Sequence, residues 1–219
     1  MGHRRRRRLS VRFAGLCSGG LCSGGLYAGG LCGLVLIVLA VSSGFAREPA
    51  ATSNAVTVGS AAFAEVARVL RHPRCLNCHT LTEFPRVGDD RKRHRMNVQR
   101  GKKDHGVPGL RCAACHQDKN QDRVGVPGAP HWGLAPLSMG WEGLDDHELA
   151  ASLLDRVKNG DRSPEDLLKH VSHDPLVLWG WDPGAGRTKP AISHEEFVAA
   201  FRQWVEAGAP LPPRGVTSY

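Results

Sequence analysis

The sequence predicts an all-α domain of short helices joined by long, irregular Gly/Pro-rich connections. Apolar residues recur at helical spacing in several separate segments, each bracketed by start or stop signals. No run alternates as a half-buried strand does, so sheet is expected only as short hairpins. The 26 Gly and 14 Pro among 219 residues punctuate the stretches between helices. An aromatic content of 6% excludes a thick aromatic core, while 41% hydrophobic residues exclude a disordered chain.

Met1 to Ala46 has the three parts of a secretory signal. Arg4 to Arg8 and Arg12 give a cationic start, Leu31 to Val41 is apolar, and Gly44-Phe45-Ala46 supplies small residues flanking a cleavage site. Cleavage after Ala46 is expected. The alternative is an uncleaved membrane anchor, because Phe13 to Ala46 carries no charge. Its first half is a Gly-rich pentad repeat (LCSGG, LCSGG, LYAGG, LCG), which makes a weak apolar helix. Either way the remainder is exported, free in the periplasm or anchored facing it. The chain as a whole has 29 Lys+Arg, 21 Asp+Glu and a net charge of +8, but six of the bases and three of the seven cysteines lie in this segment. The rest is close to neutral, with an even number of cysteines and length for one domain or two small ones.

Residues 47–59, rich in Ala, Thr and Ser, are expected to be a linker, residues 60–212 the domain, and 213–219 a tail. Ser60 should cap a helix whose Phe63, Val66, Ala67 and Leu70 share one face, ending near Pro73. Thr80 to Gly109 is polar and turn-rich, and Gly125 to Pro136 is rich in Pro and Gly. Asp145 with Glu148 forms a capping-box pattern ahead of Leu149, Leu153, Leu154 and Val157, with Gly160 as the stop. Ser163-Pro164 opens a helix carrying Leu167, Leu168 and Val171. Ser193 with Glu196 leads Phe197, Val198, Phe201, Trp204 and Val205 to a stop at Gly208.

The strongest chemical signals are Cys75-Leu76-Asn77-Cys78-His79 and Cys112-Ala113-Ala114-Cys115-His116. Each matches the attachment motif of a c-type haem. Two thiols at this spacing reach the two vinyl groups on one porphyrin edge, and the adjacent His turns under the ring to bind iron. Zinc, a disulfide or a redox dithiol are the rival readings. With 11 His in 219 residues, both pairs would be followed by His by chance about 0.25% of the time. Two covalent haems, held by Cys75, Cys78, Cys112 and Cys115 with His79 and His116 as proximal ligands, are therefore expected, and the helices are expected to be cytochrome c-like around them.

The chain resembles small dihaem c-type cytochromes, and more narrowly the exported group labelled isoquinoline 1-oxidoreductase subunit. The resemblance runs from about His72 to Pro210 and rests on HPRCLNCH, MNVQRG, GVPGLRCAACH, PGAPHWGLAPLSMGW, DPLVLWGWDPGAGR and the final WVEAGAP. It implies a periplasmic electron carrier serving a dehydrogenase, with a molybdenum hydroxylase as a partner. The motifs by which such hydroxylases hold their own cofactors do not occur here.

Each iron needs a sixth ligand or stays open. Met96 or His94 is the candidate for one haem and Met139 for the other, with His105 and His131 as competitors. His/Met ligation would give a moderately high potential. His72, His147, His170, His173 and His194 are expected at helix ends or on the surface, and Trp132, Trp141, Trp179, Trp181 and Trp204 are expected to wall the porphyrins. Residues 86–103 hold eight bases against Asp89 and Asp90, a basic segment able to steer an acidic redox partner; the alternative is a solvated loop. Without interleaved aromatics it does not suit nucleic acid. Membrane contact is expected only through the N-terminal segment. The leading functional expectation is an exported carrier passing electrons from a periplasmic dehydrogenase to the respiratory chain. The alternatives are a dihaem peroxidase with one open iron and a haem-free zinc or disulfide module.

Overall fold

The computed structural model describes residues 50–219, so the expectations for the export segment fall outside the described residues. The described chain runs α1 (Ala50–Leu70), α2 (Pro73–Leu76), β1 (Arg86–Val87), β2 (Lys92–Arg93), β3 (Gly106–Val107), β4 (Leu110–Arg111), α3 (Asp146–Leu154), α4 (Pro164–His173), α5 (Pro175–Leu178) and α6 (His194–Glu206). The all-α expectation is corrected by two antiparallel hairpins, β1–β2 and β3–β4, and by the irregular coil that makes up much of the remainder. Two-residue strands are too short to show alternation. The second hairpin was nonetheless encoded: Val107-Pro108-Gly109-Leu110 puts Pro and then Gly at the centre of a tight turn, and Gly109 takes φ +83°.

The helical core is formed by the predicted apolar faces. Phe63, Val66 and Ala67 of α1, Leu149 and Leu153 of α3, Leu167 and Val171 of α4, and Phe197, Phe201 and Trp204 of α6 are all buried in one cluster. Phe63 and Trp204 pack with ring centroids 4.8 Å apart, and Trp204 meets Phe201 edge to face. The capping boxes at Asp145, Ser163 and Ser193 all form, each satisfying two otherwise orphaned backbone donors.

Three boundaries differ from expectation. The segment 47–59 is not a linker throughout, since α1 begins at Ala50. Gly59 lies in that helix because it packs where nothing larger fits; an added Cβ would sit 2.5 Å from Pro210 Cγ. Val157 does not continue α3: Asp155 ends the helix, and Val157 lies beyond it, 95% exposed. Residues 213–219 are not a free tail. Ser218 donates through its N–H and its hydroxyl to the Asp146 carboxylate, which also pairs with Arg71 at 2.7 Å. A buried carboxylate with three partners offsets its desolvation and ties the chain end to α1 and α3.

Candidate functional site

Both CxxCH segments fold into the same turn. In the first, the N–H of Cys78 and of His79 donate to Cys75 O at 3.1 and 3.0 Å. In the second, Cys115 and His116 donate to Cys112 O at 3.1 and 2.9 Å. α1 and α2 deliver the first motif, with Pro73 opening α2 at the position where its missing N–H costs nothing. The β3–β4 hairpin delivers the second directly into Cys112.

The likeness extends to the histidines. His79 donates Nδ1–H to Met139 O at 2.8 Å and stacks on Trp141, with centroids 3.4 Å apart and planes 11° from parallel. His116 donates Nδ1–H to Pro127 O at 2.7 Å and stacks on Trp132 at 4.6 Å and 4°. In each case a backbone carbonyl fixes the tautomer and leaves Nε2 available, the arrangement in which metal-binding imidazoles are held. Burial pushes the His79 pKa down to about 4, which keeps the ring neutral and able to ligate. Burial lowers His116 as well, opposed by the Pro127 carbonyl and helped by the nearby His94.

Each motif faces a cavity. The first, of about 560 Å³, is lined by Cys75, Cys78, His79, His170, Val177 and Trp179 among others. Its volume falls in the range of cofactor sites. The second, of about 400 Å³, is lined by His116, Trp132, Arg111, Asp118, Ala113 and Ala129, and Cys115, one residue before His116, is exposed. His105 and His131 line both cavities.

The chemistry of the donors separates the readings. All four cysteines are free thiols, and burial pushes Cys75 up to about 12 and Cys78 up to about 11. A redox dithiol needs the opposite shift. Zinc needs four converging donors, and among the described residues no group of three or more His, Cys, Asp or Glu converges on one point. Haem iron takes four nitrogens from its porphyrin and asks the chain only for axial ligands, so it makes no such demand. Trp141 lines the larger cavity, and its Nε1 is buried without a hydrogen-bond partner.

No family model matches this chain, and neither a curated protein nor a solved structure matches it. The site therefore rests on its own geometry.

That geometry sorts the candidate distal ligands. His94 lies with its ring centroid 6.1 Å from that of His116, the planes 70° apart. Two metal–nitrogen bonds of about 2 Å, each extended by about 1.2 Å to a ring centroid, require about 6.4 Å. His94 Nδ1 donates to Arg95 O at 2.7 Å, so its Nε2 is also left free. Met96, two residues on, is 71% exposed at φ +62° and is not drawn into the site. Met139 is buried, its carbonyl accepts the His79 Nδ1–H at 2.8 Å, and it lines the larger cavity.

The tryptophans divide. Trp132, Trp141, Trp179 and Trp181 border the cavities, whereas Trp204 belongs to the helical core against Phe63. Part of the basic segment is consumed internally: Arg91 pairs with Glu142, Lys92 with Asp90, and the buried Arg100 binds Asp104 at 2.6 Å and Thr80 O at 2.9 Å. Arg93, Arg95, Lys102 and Lys103 remain exposed, with Arg93 resting on Phe84. Among the described residues no helix is long and apolar enough to cross a membrane. Sequence reasoning missed His170 and Asp174. Their spacing of four on one helix was visible, but that spacing is equally common in ordinary helix-terminal pairs.

Proposed function

We propose that this chain is an exported dihaem c-type cytochrome that carries single electrons from a periplasmic dehydrogenase to the respiratory chain. The observation that carries the reading is the repeated unit: one turn, one proximal His stacked on Trp, and one carbonyl on Nδ1, built twice from unrelated connecting sequence. Haem, when bound, supplies reversible one-electron chemistry at iron. Cys75 and Cys78, and Cys112 and Cys115, would each add a thiol across a vinyl group, the sulfur bonding one carbon and the proton passing to the other. His79 and His116 would bind the irons through Nε2, and the stacked indoles hold both imidazole rings in place. His94, its ring centroid 6.1 Å from that of His116, would supply a further ligand at the second site, which favours electron transfer over a peroxidase with an open iron. The family resemblance points to a molybdenum hydroxylase as the donor.

The test is expression with a c-type maturation system, followed by intact mass and an alkaline pyridine spectrum. The expected result is the mass of two haems that survive acid extraction. A chain that lacks them, or releases haem into acid, would overturn the reading.

A further inference from the structure

α4 turns one of its polar positions into the larger cavity. Leu167 and Val171 are buried in the helical core, and His170, between them in sequence, is half-buried on the wall of the same cavity that Cys75, Cys78 and His79 line. The ring is not free to rotate. His170 Nδ1 lies 3.2 Å from Asp174 Oδ2, one turn further along the helix. Asp174 is itself immobile: its Oδ1 accepts the Leu176 N–H at 2.9 Å, capping α5, and accepts His131 Nε2–H at 3.0 Å. A carboxylate that saturates Nδ1 leaves Nε2 as the ligating atom, as at metal-bound histidines generally.

Resting on the haem reading above, we propose that His170 is the sixth ligand of the iron carried by Cys75, Cys78 and His79, and that Asp174 is its positioning residue. The competitors are placed less well. His131 has its Nε2 committed to Asp174. His105 is exposed, held through Nδ1 by Trp132 O at 3.2 Å, with its imidazole pressed against Gly133. With His94 over the other iron, both haems become bis-histidine, and neither has the raised potential of His/Met ligation. A carboxylate on Nδ1 makes the imidazole a stronger electron donor, so this iron should have the lower potential of the two.

The experiment uses the haem-loaded protein, with intact mass reported for every variant. Wild type should show both irons low-spin by EPR and no sulfur-to-iron band. H170G should retain two haems while half of the low-spin signal is lost, and added imidazole should restore it. H170M should introduce a sulfur-to-iron band at one haem. D174N should keep both haems six-coordinate but raise the potential of one. M139L and H105A should leave the spin state unchanged. Two covalent haems with H170G still fully low-spin would overturn the ligand assignment while the haem reading stands, as would loss of half the signal in H105A. Absence of haem from wild type would overturn both.

Discussion

Replacing His94 by alanine should convert one of the two irons, and only one, to the high-spin state. The magnitude follows from geometry. The His94 and His116 centroids are 6.1 Å apart, against about 6.4 Å for two imidazoles sharing one metal, so the ring needs to move only a few tenths of an ångström to ligate. Removing it leaves a gap that Met96, 71% exposed and pointing to solvent, does not fill. EPR of the oxidised protein should therefore lose the signal of the second haem, about half of the total. Before mutation that haem should give a strongly anisotropic low-spin signal, because its axial rings are 70° apart. The complementary variant is M96G. Met96 sits at φ +62°, where a side chain costs about 1–2 kcal/mol, while glycine costs about 0.5–1 kcal/mol through the unfolded chain. The net is about 0.5 kcal/mol of added stability by urea unfolding, with an unchanged spectrum. Loss of a low-spin iron in M96G, or two low-spin irons in H94A, would refute the assignment.

Acid should destabilise the protein in a defined window. Burial raises the Glu142 carboxyl, but the Leu81 N–H, Arg91 and Thr80 outweigh it and hold the group below its ordinary 4.5, so the unfolded state binds the extra proton and stability is lost as pH drops through and below 4.5. Urea midpoints should hold between pH 7 and 5.5 and fall between pH 5 and 3.5, and a flat series across the lower range would contradict the pairing of this carboxylate. Phe201→Ala empties a fully buried position of α6 in the helical core and should cost about 3–5 kcal/mol, measured by the same method; a loss below about 1 kcal/mol would mean that α6 is not part of the core. Reversing Arg95, Lys102 and Lys103 to Glu should slow reduction by anionic ascorbate about tenfold at low ionic strength and leave reduction by uncharged hydroquinone unchanged. Equal slowing of both reductants would show that these residues act on the fold rather than on the approach of charge.

The helices were legible because their signals are local. Each capping box spans four residues, and the faces of α1, α4 and α6 repeat at helical period, so composition and spacing suffice. The two CxxCH turns were legible for the same reason, since each lies within five consecutive residues. What the sequence hid is non-local. His94 nears His116, and His170 joins His79 on the wall of one cavity, only after the coil between them has closed, and no spacing rule connects residues that far apart. The Met139 carbonyl that binds His79 was hidden because every residue has a carbonyl. The start of α1 was hidden because residues 47–59 show Ala, Thr and Ser without apolar periodicity, and the packing of Gly59 against Pro210 is visible only in the fold. The hairpins were below the length at which alternation can register.

His105 and His131 line both cavities and so form a partition between them. Under the proposed function this makes the molecule a short wire with two terminals rather than two independent centres. A donor at one terminal and an acceptor at the other need never compete for the same patch of surface, and one can reload the protein while the other is still leaving. Throughput is then governed by the arrival and departure of partners, and the interior is a conductor whose thickness was set when these two side chains were placed.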